Sequence, residues 1–398
     1  QRGFDRFYGF MGAETSYFQP DRMLEGNQLS QVERYPLGYF APDDYTSRAI
    51  GWLADHHASA PAKPFFLYLA FQTPHTPIQA KAEDQAKYRG RYDAGWDVLR
   101  AERFARQQAL GLIEPNAQMA PRNPGVPAWD DLPAPARQLF ARYMECYAGL
   151  VDNIDQNVGR ITAFLREAGM LDNTLLVLTS DNGASAVGGL DGTPNYIEQR
   201  EGRPVDSAQA LALARAGTLG LDESMVAYPT GWAQVSNTPW RYFKRTPLNG
   251  GIRVPFLMHW PQRITDAGAV RRGWTHVTDI APTLLELAGV PHPDQINGFA
   301  ARKPDGVSFA AMLTDPQAAT QRTRQHYELE ANRAYIDGRW KIVSLQPRGG
   351  RIESLDNWML FDLEADPCET TDLAAQHPER VAAMARLFDE DALANYVY

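Results

Sequence analysis

Residues 175–183 read LLVLTSDNG, and this stretch decides how the rest of the chain is interpreted. The apolar and β-branched run Leu175–Thr179 predicts a buried strand, and Ser180–Gly183 is a turn sequence that ends it. Asp181 and Asn182 therefore follow the carboxyl end of a predicted core strand. Because open α/β sheets bind their ligands beyond that edge, the turn is a candidate functional site.

Other segments around this stretch predict an α/β layer structure. The apolar positions between Pro135 and Gly169 recur every three or four residues, which predicts a long amphipathic helix. Further strands are predicted at Phe65–Phe71 and Val254–His259, and further helices at residues 44–58, 208–216 and 282–288. Residues 76–133 show little periodicity, and we expect them to form surface excursions with short helices. Residues 184–239 hold Gly- and Pro-rich segments around the predicted helix 208–216, and we expect both segments to line a pocket.

The pattern changes after about residue 300, where short aromatic and β-branched segments are separated by turns. They predict a small antiparallel sheet, followed by a last helix over residues 378–393. We therefore predict a main α/β domain, residues 1–299, and a smaller α+β domain, residues 300–398.

Composition excludes several classes of function. The 398 residues contain 39 Lys+Arg against 48 Asp+Glu, a net charge of −9, which argues against a nucleic-acid partner. The longest apolar run, Phe65–Phe71, is far shorter than the ~20 residues that span a bilayer, so no membrane span is expected. The 2 cysteines form neither a zinc motif nor a disulfide framework.

Four side chains are candidates for chemistry, and each also has an ordinary structural interpretation. Asp181 and Asn182 offer the oxygen atoms that hard divalent cations prefer, or they cap their own turn. His75 is held between two prolines in Thr73–Pro77, or it is a surface histidine. Lys244 belongs to a chain that otherwise favours arginine; a compact ammonium group binds a tetrahedral anion, although a solvated loop lysine is the simpler interpretation.

Several segments taken together resemble the sulfatase family, bacterial arylsulfatases in particular, within the alkaline-phosphatase-like superfamily. The matching segments are Gly3–Phe10 (GFDRFYGF), Thr73–Pro77 (TPHTP), Val151–Arg160 (VDNIDQNVGR), Thr179–Ala184 (TSDNGA), Gly231–Ala233 (GWA), Asn237–Lys244 (NTPWRYFK), Gly250–Pro255 (GGIRVP), Trp260–Pro261, His276–Gly289 (HVTDIAPTLLELAG) and Leu360–Pro367 (LFDLEADP). Their order along most of the chain makes the resemblance specific.

The resemblance implies a fold and a site. The fold would be a mixed, mostly parallel sheet flanked by helices, with the smaller carboxyl-terminal domain. Asp181 and Asn182 would be ligands of Ca²⁺, with Mg²⁺ as an alternative. His75 would contact the sulfate or the leaving-group oxygen, and Lys244 a sulfate oxygen. The partner would be a small-molecule sulfate ester, which the enzyme would hydrolyse to an alcohol or phenol and sulfate.

The chain departs from the family pattern at the nucleophile. Sulfatases use a Cys or Ser in a C/S-x-P-x-R motif, converted to formylglycine, and no such motif occurs here; Ser59–Lys63 (SAPAK) has Lys in place of Arg. Two further metal-binding aspartates and a Gly-Lys-x-His segment are also absent. All three features normally precede the segment matched by Gly3–Phe10. We therefore expect a truncated chain whose missing upstream segment carries the formylglycine, and we expect the 398 residues alone to be inactive.

Two alternatives and two smaller points remain open on the sequence alone. A phosphonate monoester or phosphodiester hydrolase of the same superfamily would share the Asp181–Asn182 turn. A non-catalytic sulfatase-like binding protein would lack the nucleophile altogether. Relatives often carry an acidic residue before the two glycines Gly250–Gly251, where this chain has Leu248 and Asn249, which affects the hydrogen bonding of that loop. A bacterial cytoplasmic or periplasmic location is compatible with the low cysteine content.

Overall fold

The computed structural model describes residues 3–204, 206–346 and 357–397. The helices are α1 (Ala41–Ser59), α2 (Ala82–Ala86), α3 (Gly95–Ala109), α4 (Ala134–Glu167), α5 (Tyr196–Arg200), α6 (Ser207–Ala216), α7 (Thr230–Ser236), α8 (Asn249–Ile252), α9 (Ile280–Leu287), α10 (Ala311–Thr314) and α11 (Pro378–Ala394). The strands are β1 (Tyr8–Gly9), β2 (Leu24–Glu25), β3 (Gln28–Leu29), β4 (Leu176–Thr179), β5 (Phe256–His259), β6 (Gln295–Ile296), β7 (Phe299–Ala300), β8 (Arg324–Leu329), β9 (Asn332–Asp337), β10 (Trp340–Ser344) and β11 (Met359–Asp362). Single turns of 3₁₀ helix cover Trp129–Asp131, Leu171–Asn173, Val277–Asp279 and Ala374–Gln376.

The chain folds into two compact units, each built from separated segments. Unit 1 comprises Gln1–Glu102, Asn123–Leu171 and Ser185–Ser236, and unit 2 comprises Arg103–Arg122, Asp172–Ala184 and Asn237–Tyr398. The predicted domain boundary between residues 299 and 300 does not coincide with the boundaries of these units, and it stays a prediction.

The long helix α4 organises unit 1 and confirms the prediction over Pro135–Gly169. Pro135 lies in its first turn, where a missing N–H costs nothing. It ends at a left-handed Gly169, φ 69°, whose N–H bonds to the Arg166 carbonyl oxygen while the Met170 N–H bonds to that of Leu165. Buried apolar residues of α4 pack with those of α1 in one core cluster, which contains Leu53, Ile161 and Leu165.

The run Phe65–Phe71 of unit 1, predicted as a buried strand, pairs with no strand within the described residues. Its side chains alternate between two environments. Phe65, Leu67 and Leu69 pack on the α1–α4 cluster, whereas Phe66 and Tyr68 are 66% and 73% exposed. The prediction of burial was wrong for one face, because an apolar composition does not reveal whether both faces of a strand are covered.

Residues 76–133, predicted as surface excursions, instead contribute to the core of unit 1 together with α7. Trp96 from α3 and Trp232 from α7 are both fully buried, with ring centroids 5.8 Å apart. Trp129 lies against both rings, at 4.8 Å from Trp96 and 5.5 Å from Trp232. Buried aromatic rings of this size contribute much of a core's apolar surface, and helical periodicity does not report them.

In unit 2 the strands β4 and β5 confirm that Leu175–Thr179 and Val254–His259 contain strands. The burial predicted for Leu175–Thr179 was wrong, since Leu178 is 36% exposed and no residue of β4 is fully buried. The two strands pair antiparallel, with Leu176 opposite His259 and Thr179 opposite Phe256. The described strands form no parallel pair, although the predicted sheet is mostly parallel. The turn that follows β4 therefore lies beside the start of β5.

The predicted carboxyl-terminal sheet and helix are confirmed, also in unit 2. Four antiparallel strands lie in the order β11-β10-β9-β8, and β8 precedes the segments recognised from the sequence. One face is covered by α11. Met384 and Phe388 of that helix join Tyr335, Ile342 and Leu360 of the sheet in one buried cluster.

Candidate functional site

The turn after β4 is held by hydrogen bonds of its own residues. The Ser180 hydroxyl donates to the Asn182 carbonyl oxygen at 3.0 Å, and Asn182 Nδ2 donates to the Gly183 carbonyl oxygen at 3.0 Å. The Thr179 hydroxyl donates across the strand pair to the Pro255 carbonyl oxygen at 3.1 Å. The local interpretation of this sequence as a self-capped turn is therefore correct in part, since Ser180 and the Asn182 amide nitrogen satisfy backbone groups.

Two oxygen-bearing groups of the turn remain available. No hydrogen-bond donor within the described part of the chain contacts the Asp181 carboxylate or Asn182 Oδ1. Asp181 is exposed and Asn182 is half-buried. A carboxylate and an amide oxygen on adjacent residues suit a hard divalent cation, but Ca²⁺ takes six to eight oxygen ligands. No cluster of three or more His, Cys, Asp or Glu with metal-binding geometry occurs among the residues described, so the turn provides only part of such a site.

Gly183 fixes the turn against a second one, Asn249–Gly251 at the start of α8. The Gly183 N–H donates to the Gly251 carbonyl oxygen at 2.9 Å. A Cβ atom on Gly183 would lie 1.8 Å from the Gly250 carbonyl oxygen, closer than any side chain tolerates. Gly183 is therefore required by close backbone approach, and the two turns have little room to shift against one another.

The loop that carries Lys244 is anchored to the same turn. The Lys244 N–H donates to the Ala184 carbonyl oxygen at 2.9 Å, and the Ala184 N–H donates to Asn237 Oδ1 at 2.8 Å. Asn237 in turn donates from Nδ2 to the Tyr242 carbonyl oxygen at 3.0 Å. The backbone of Lys244 therefore bonds to Ala184, three residues after Asp181. From the sequence, only the family resemblance suggested that Lys244 and Asp181 lie close together.

Asn237 is not among the candidate site residues of the sequence, and Asn249 enters there only as a departure from the family pattern. Both belong to or border the matched segments, but an asparagine in a loop is too common to signal a role. Their side chains bond to backbone groups of neighbouring loops, and only the folded structure shows those partners.

His75 lies in unit 1, in a loop fixed by backbone and side-chain hydrogen bonds. Its N–H donates to the Gln72 carbonyl oxygen at 2.9 Å, and its carbonyl oxygen accepts from the Tyr17 hydroxyl at 2.8 Å. Its Nδ1 lies 2.7 Å from the Thr76 carbonyl oxygen. Because a carbonyl oxygen only accepts, Nδ1 carries the hydrogen, and Nε2 is the basic nitrogen of the neutral ring.

The profile described as Sulfatase matches residues 1–290, and the profile described as N-sulphoglucosamine sulphohydrolase, C-terminal, matches residues 239–390. The first covers well over half of the chain. The chain belongs to the sulfatase family. It is thereby a member of the alkaline-phosphatase-like superfamily, as the sequence motifs predicted.

Individual sulfatases share this similarity. The chain is 33% identical over 344 residues to an uncharacterized sulfatase of Schizosaccharomyces pombe, a match that covers 86% of this chain and 59% of the relative. It is 30% identical over 331 residues to an arylsulfatase of Klebsiella aerogenes, covering 78% of this chain and 66% of the relative. The chain thus spans less than two thirds of the length of either relative.

Solved structures confirm the predicted fold class. The crystal structure of Ps i-CgsB superposes with a TM-score of 0.59 at 21% identity, covering 98% of this chain and 66% of the other. The structure of BT4656, solved with its substrate D-glucosamine-2-N,6-O-disulfate, gives a TM-score of 0.57 at 18% identity, covering 98% and 76%. At these identities the likeness concerns the fold.

No residue of this sulfatase chain matches the family nucleophile. Cys146 is buried within α4, and burial raises the pKa of its thiol well above the ordinary value. Cys368 is buried in unit 2, where burial raises the pKa of its thiol to about 12. Ser59 is the last residue of α1 and donates its hydroxyl to the Asp55 carbonyl oxygen at 2.7 Å. Neither thiol has the thiolate character that a nucleophile needs.

One further prediction concerns membranes. Within the described residues, every helix is too short or too polar to cross a bilayer.

Proposed function

We propose that this sulfatase chain contributes the cation- and sulfate-binding groups of a site that hydrolyses sulfate esters to an alcohol or phenol and sulfate. One observation carries the proposal: unit 2 holds the side-chain oxygens of Asp181 and Asn182, to which no donor of the described residues bonds, beside the loop of Lys244. In this proposal Asp181 and Asn182 hold Ca²⁺, or Mg²⁺ as the alternative, and Lys244 binds a sulfate oxygen. His75 acts on the leaving-group oxygen.

The chemistry of sulfate ester cleavage explains why these residue types are required. Negative charge moves onto the leaving oxygen as the S–O bond breaks, and preorganised positive groups stabilise that charge best where water is excluded. A bound divalent cation supplies Lewis-acid stabilisation to the sulfate group. The Lys244 ammonium group provides a point charge, and these local charges offset the repulsion between an anionic substrate and a chain of net charge −9.

His75 is suited to a proton-transfer role because its tautomer is fixed. The hydrogen on Nδ1 is held by the Thr76 carbonyl oxygen, so Nε2 is the atom that gains or loses a proton. A protonated Nε2 would donate its hydrogen to the departing alcohol or phenol oxygen. We assign His75 this role as part of the proposal.

We further propose that a segment outside the 398 residues supplies the nucleophile, in a C/S-x-P-x-R motif that is converted to formylglycine. Two facts support this. The chain has no such motif, and both of its thiols are buried with raised pKa values. The same segment would add the remaining oxygen ligands of the cation, since Asp181 and Asn182 provide only two.

The first test is a turnover assay with an aryl sulfate in the presence of calcium. The 398-residue chain alone is expected to release no phenol above background, whereas a longer polypeptide that adds a C/S-x-P-x-R segment is expected to do so. An aryl phosphonate monoester serves as the comparison substrate. Release of phenol by the 398-residue chain at an enzyme-like rate would contradict the missing nucleophile, and a faster reaction with the phosphonate would favour the alternative hydrolase.

The second test measures calcium binding to the 398-residue chain by the chemical shift of the Gly183 amide. Asp181→Asn removes the only charge of the proposed pair and is expected to weaken binding by about tenfold or more, since loss of even a hydrogen-bond partner of a metal ligand typically costs ~10–100-fold in affinity. The matched control is Asp305→Asn, a highly exposed carboxylate of unit 2. Equal calcium binding by Asp181→Asn and by the unaltered chain would exclude this turn as the ligand.

A further inference from the structure

A fully buried ion pair of unit 2 bonds to Asn249, next to the Gly250–Gly251 turn. Lys341 of β10 and Glu369 are both 0% exposed, and Lys341 Nζ donates to Glu369 Oε1 at 2.6 Å. The same ammonium group donates to Asn249 Oδ1 at 3.0 Å. The second carboxylate oxygen, Oε2, accepts from the Asn249 N–H at 2.7 Å. Both charged groups therefore converge on one residue, Asn249.

Such a pair is not explained by stability alone. Removing two charges from water costs several kcal/mol per ion, and apolar residues of similar volume often serve a core as well or better. Burial lowers the pKa of the Lys341 amine, and the contact with Glu369 opposes that shift. A pair of this kind instead fixes one arrangement of the groups that it bonds.

The group that this pair bonds is the turn that contacts the Asp181–Asn182 turn. Asn249 begins α8 and also donates from Nδ2 to the Pro367 carbonyl oxygen at 2.8 Å. An acidic residue at this position could only accept hydrogen bonds, whereas the Asn249 amide both accepts from Lys341 and donates to Pro367. The next two residues, Gly250 and Gly251, make the close contacts with Gly183 described above.

We propose that Lys341 and Glu369 are positioning residues of the site: through Asn249 they hold the Gly250–Gly251 turn, and through it the Asp181–Asn182 turn. Neither side chain touches the proposed cation or sulfate. The inference rests on the proposed function for its consequence, but the positioning itself is a property of the fold that can be measured without substrate or metal.

The test uses hydrogen exchange of the Gly183 amide in the 398-residue chain. The double variant Lys341→Met/Glu369→Gln removes both charges together, so no unpaired charge stays buried. Gly183 is expected to exchange roughly five- to tenfold faster, the equivalent of one lost hydrogen bond, relative to amides of the β9–β10 ladder. The matched control is Arg322→Met/Asp279→Asn, which removes another buried pair of unit 2 whose carboxylate accepts from the N–H groups of His276 and Val307.

The control is expected to lower stability without a selective effect on Gly183. An unchanged ratio of Gly183 exchange to β9–β10 exchange in a folded Lys341→Met/Glu369→Gln variant would overturn the proposal. If that variant does not fold, Asn249→Ala keeps the ion pair and the backbone N–H bond to Glu369 and removes the side-chain bonds to Lys341 and Pro367. It is expected to speed Gly183 exchange selectively, in the same direction, and an unchanged ratio would likewise overturn the proposal. Selective loss of Gly183 protection, together with equal calcium binding by the Asp181→Asn variant and the unaltered chain, would leave the positioning intact and refute the metal assignment instead.

Discussion

Two sheets of unit 2 differ in how their apolar residues are covered. In the sheet β8–β11 the inner residues of β9, β10 and β11 are buried, and α11 covers one face with Phe388, which is 0% exposed. In the pair β4–β5, Leu178 and Phe256 are each 36% exposed and Leu257 is 56% exposed. The sequences of β4 and β5 are as apolar as those of the covered sheet.

The difference shows what holds each region together. The β8–β11 sheet is stabilised by removal of apolar surface from water, which is the main driving force of folding. The turns beside β4–β5 are fixed instead by backbone hydrogen bonds and close glycine contacts, such as that of Gly183 with Gly251. We therefore expect the two regions to respond differently to the same kinds of substitution.

The largest contrast is expected between Phe388→Ala and Leu257→Ala. Phe388→Ala creates a cavity between α11 and the sheet and should lower the free energy of unfolding by about 3–5 kcal/mol. Leu257→Ala removes a side chain that is already more than half exposed and should change it by about 0.5 kcal/mol or less. Urea unfolding curves measure both values. A loss from Leu257→Ala as large as that from Phe388→Ala would mean that β5 is covered in solution.

A smaller effect on the free energy of unfolding is expected from alanine at two glycines, one in close backbone contact and one with open space around it. Gly183→Ala forces a Cβ against the Gly250 carbonyl oxygen and should cost about 1–3 kcal/mol, as overpacking does. Gly159→Ala in α4 meets no atom within 4 Å and should instead stabilise by about 0.5–1 kcal/mol. Thermal unfolding of the two variants gives the comparison. Stabilisation by Gly183→Ala would show that the two turns are not in close contact.

The sequence predicted elements whose signal is local. The α4 helix was correct to within two residues of its ends because its apolar period continues over many turns. The turn at Asp181 was placed correctly because apolar residues and turn residues adjoin. The predicted burial of Phe65–Phe71 was correct for only one face, because burial of each face depends on which residues pack against it.

Other features depend on partners distant in the sequence and could not be predicted from it. The contact between Lys244 and Ala184 joins residues 60 positions apart, and its atoms are backbone. The buried partner of Lys341 is Glu369, 28 positions further along the chain, and the sequence shows both only as ordinary charged residues. Trp96 and Trp232 lie in aperiodic segments. Each of these contacts is set by tertiary packing.

The smallest effect expected tests whether the covered sheet responds to pH. His326 of β8 stacks on Phe388 with ring centroids 4.2 Å apart. Burial lowers the pKa of His326 below its ordinary value, and the nearby carboxylates of Asp391 and Glu328 and the backbone of Phe388 oppose the shift. At pH values well above 6.5 the His326 ring is neutral in both the folded and unfolded states. As the pH falls below that value, the unfolded state binds the proton more readily, so stability is lost.

His326→Phe keeps an aromatic ring against Phe388 and removes the titrating group. The unaltered chain should lose stability between pH 8 and pH 5, and the variant should lose less over the same interval, whatever its absolute stability. The control is His377→Phe, which replaces a histidine that lies outside the Phe388 contact, with its ring 5.6 Å from that of Trp340, and keeps the ring of His326 in place. Parallel pH profiles for His326→Phe and the unaltered chain would show that the charged His326 ring is as stable in the β8–α11 contact as it is in water. The contrast between the two sheets would then rest on the packing of apolar side chains alone.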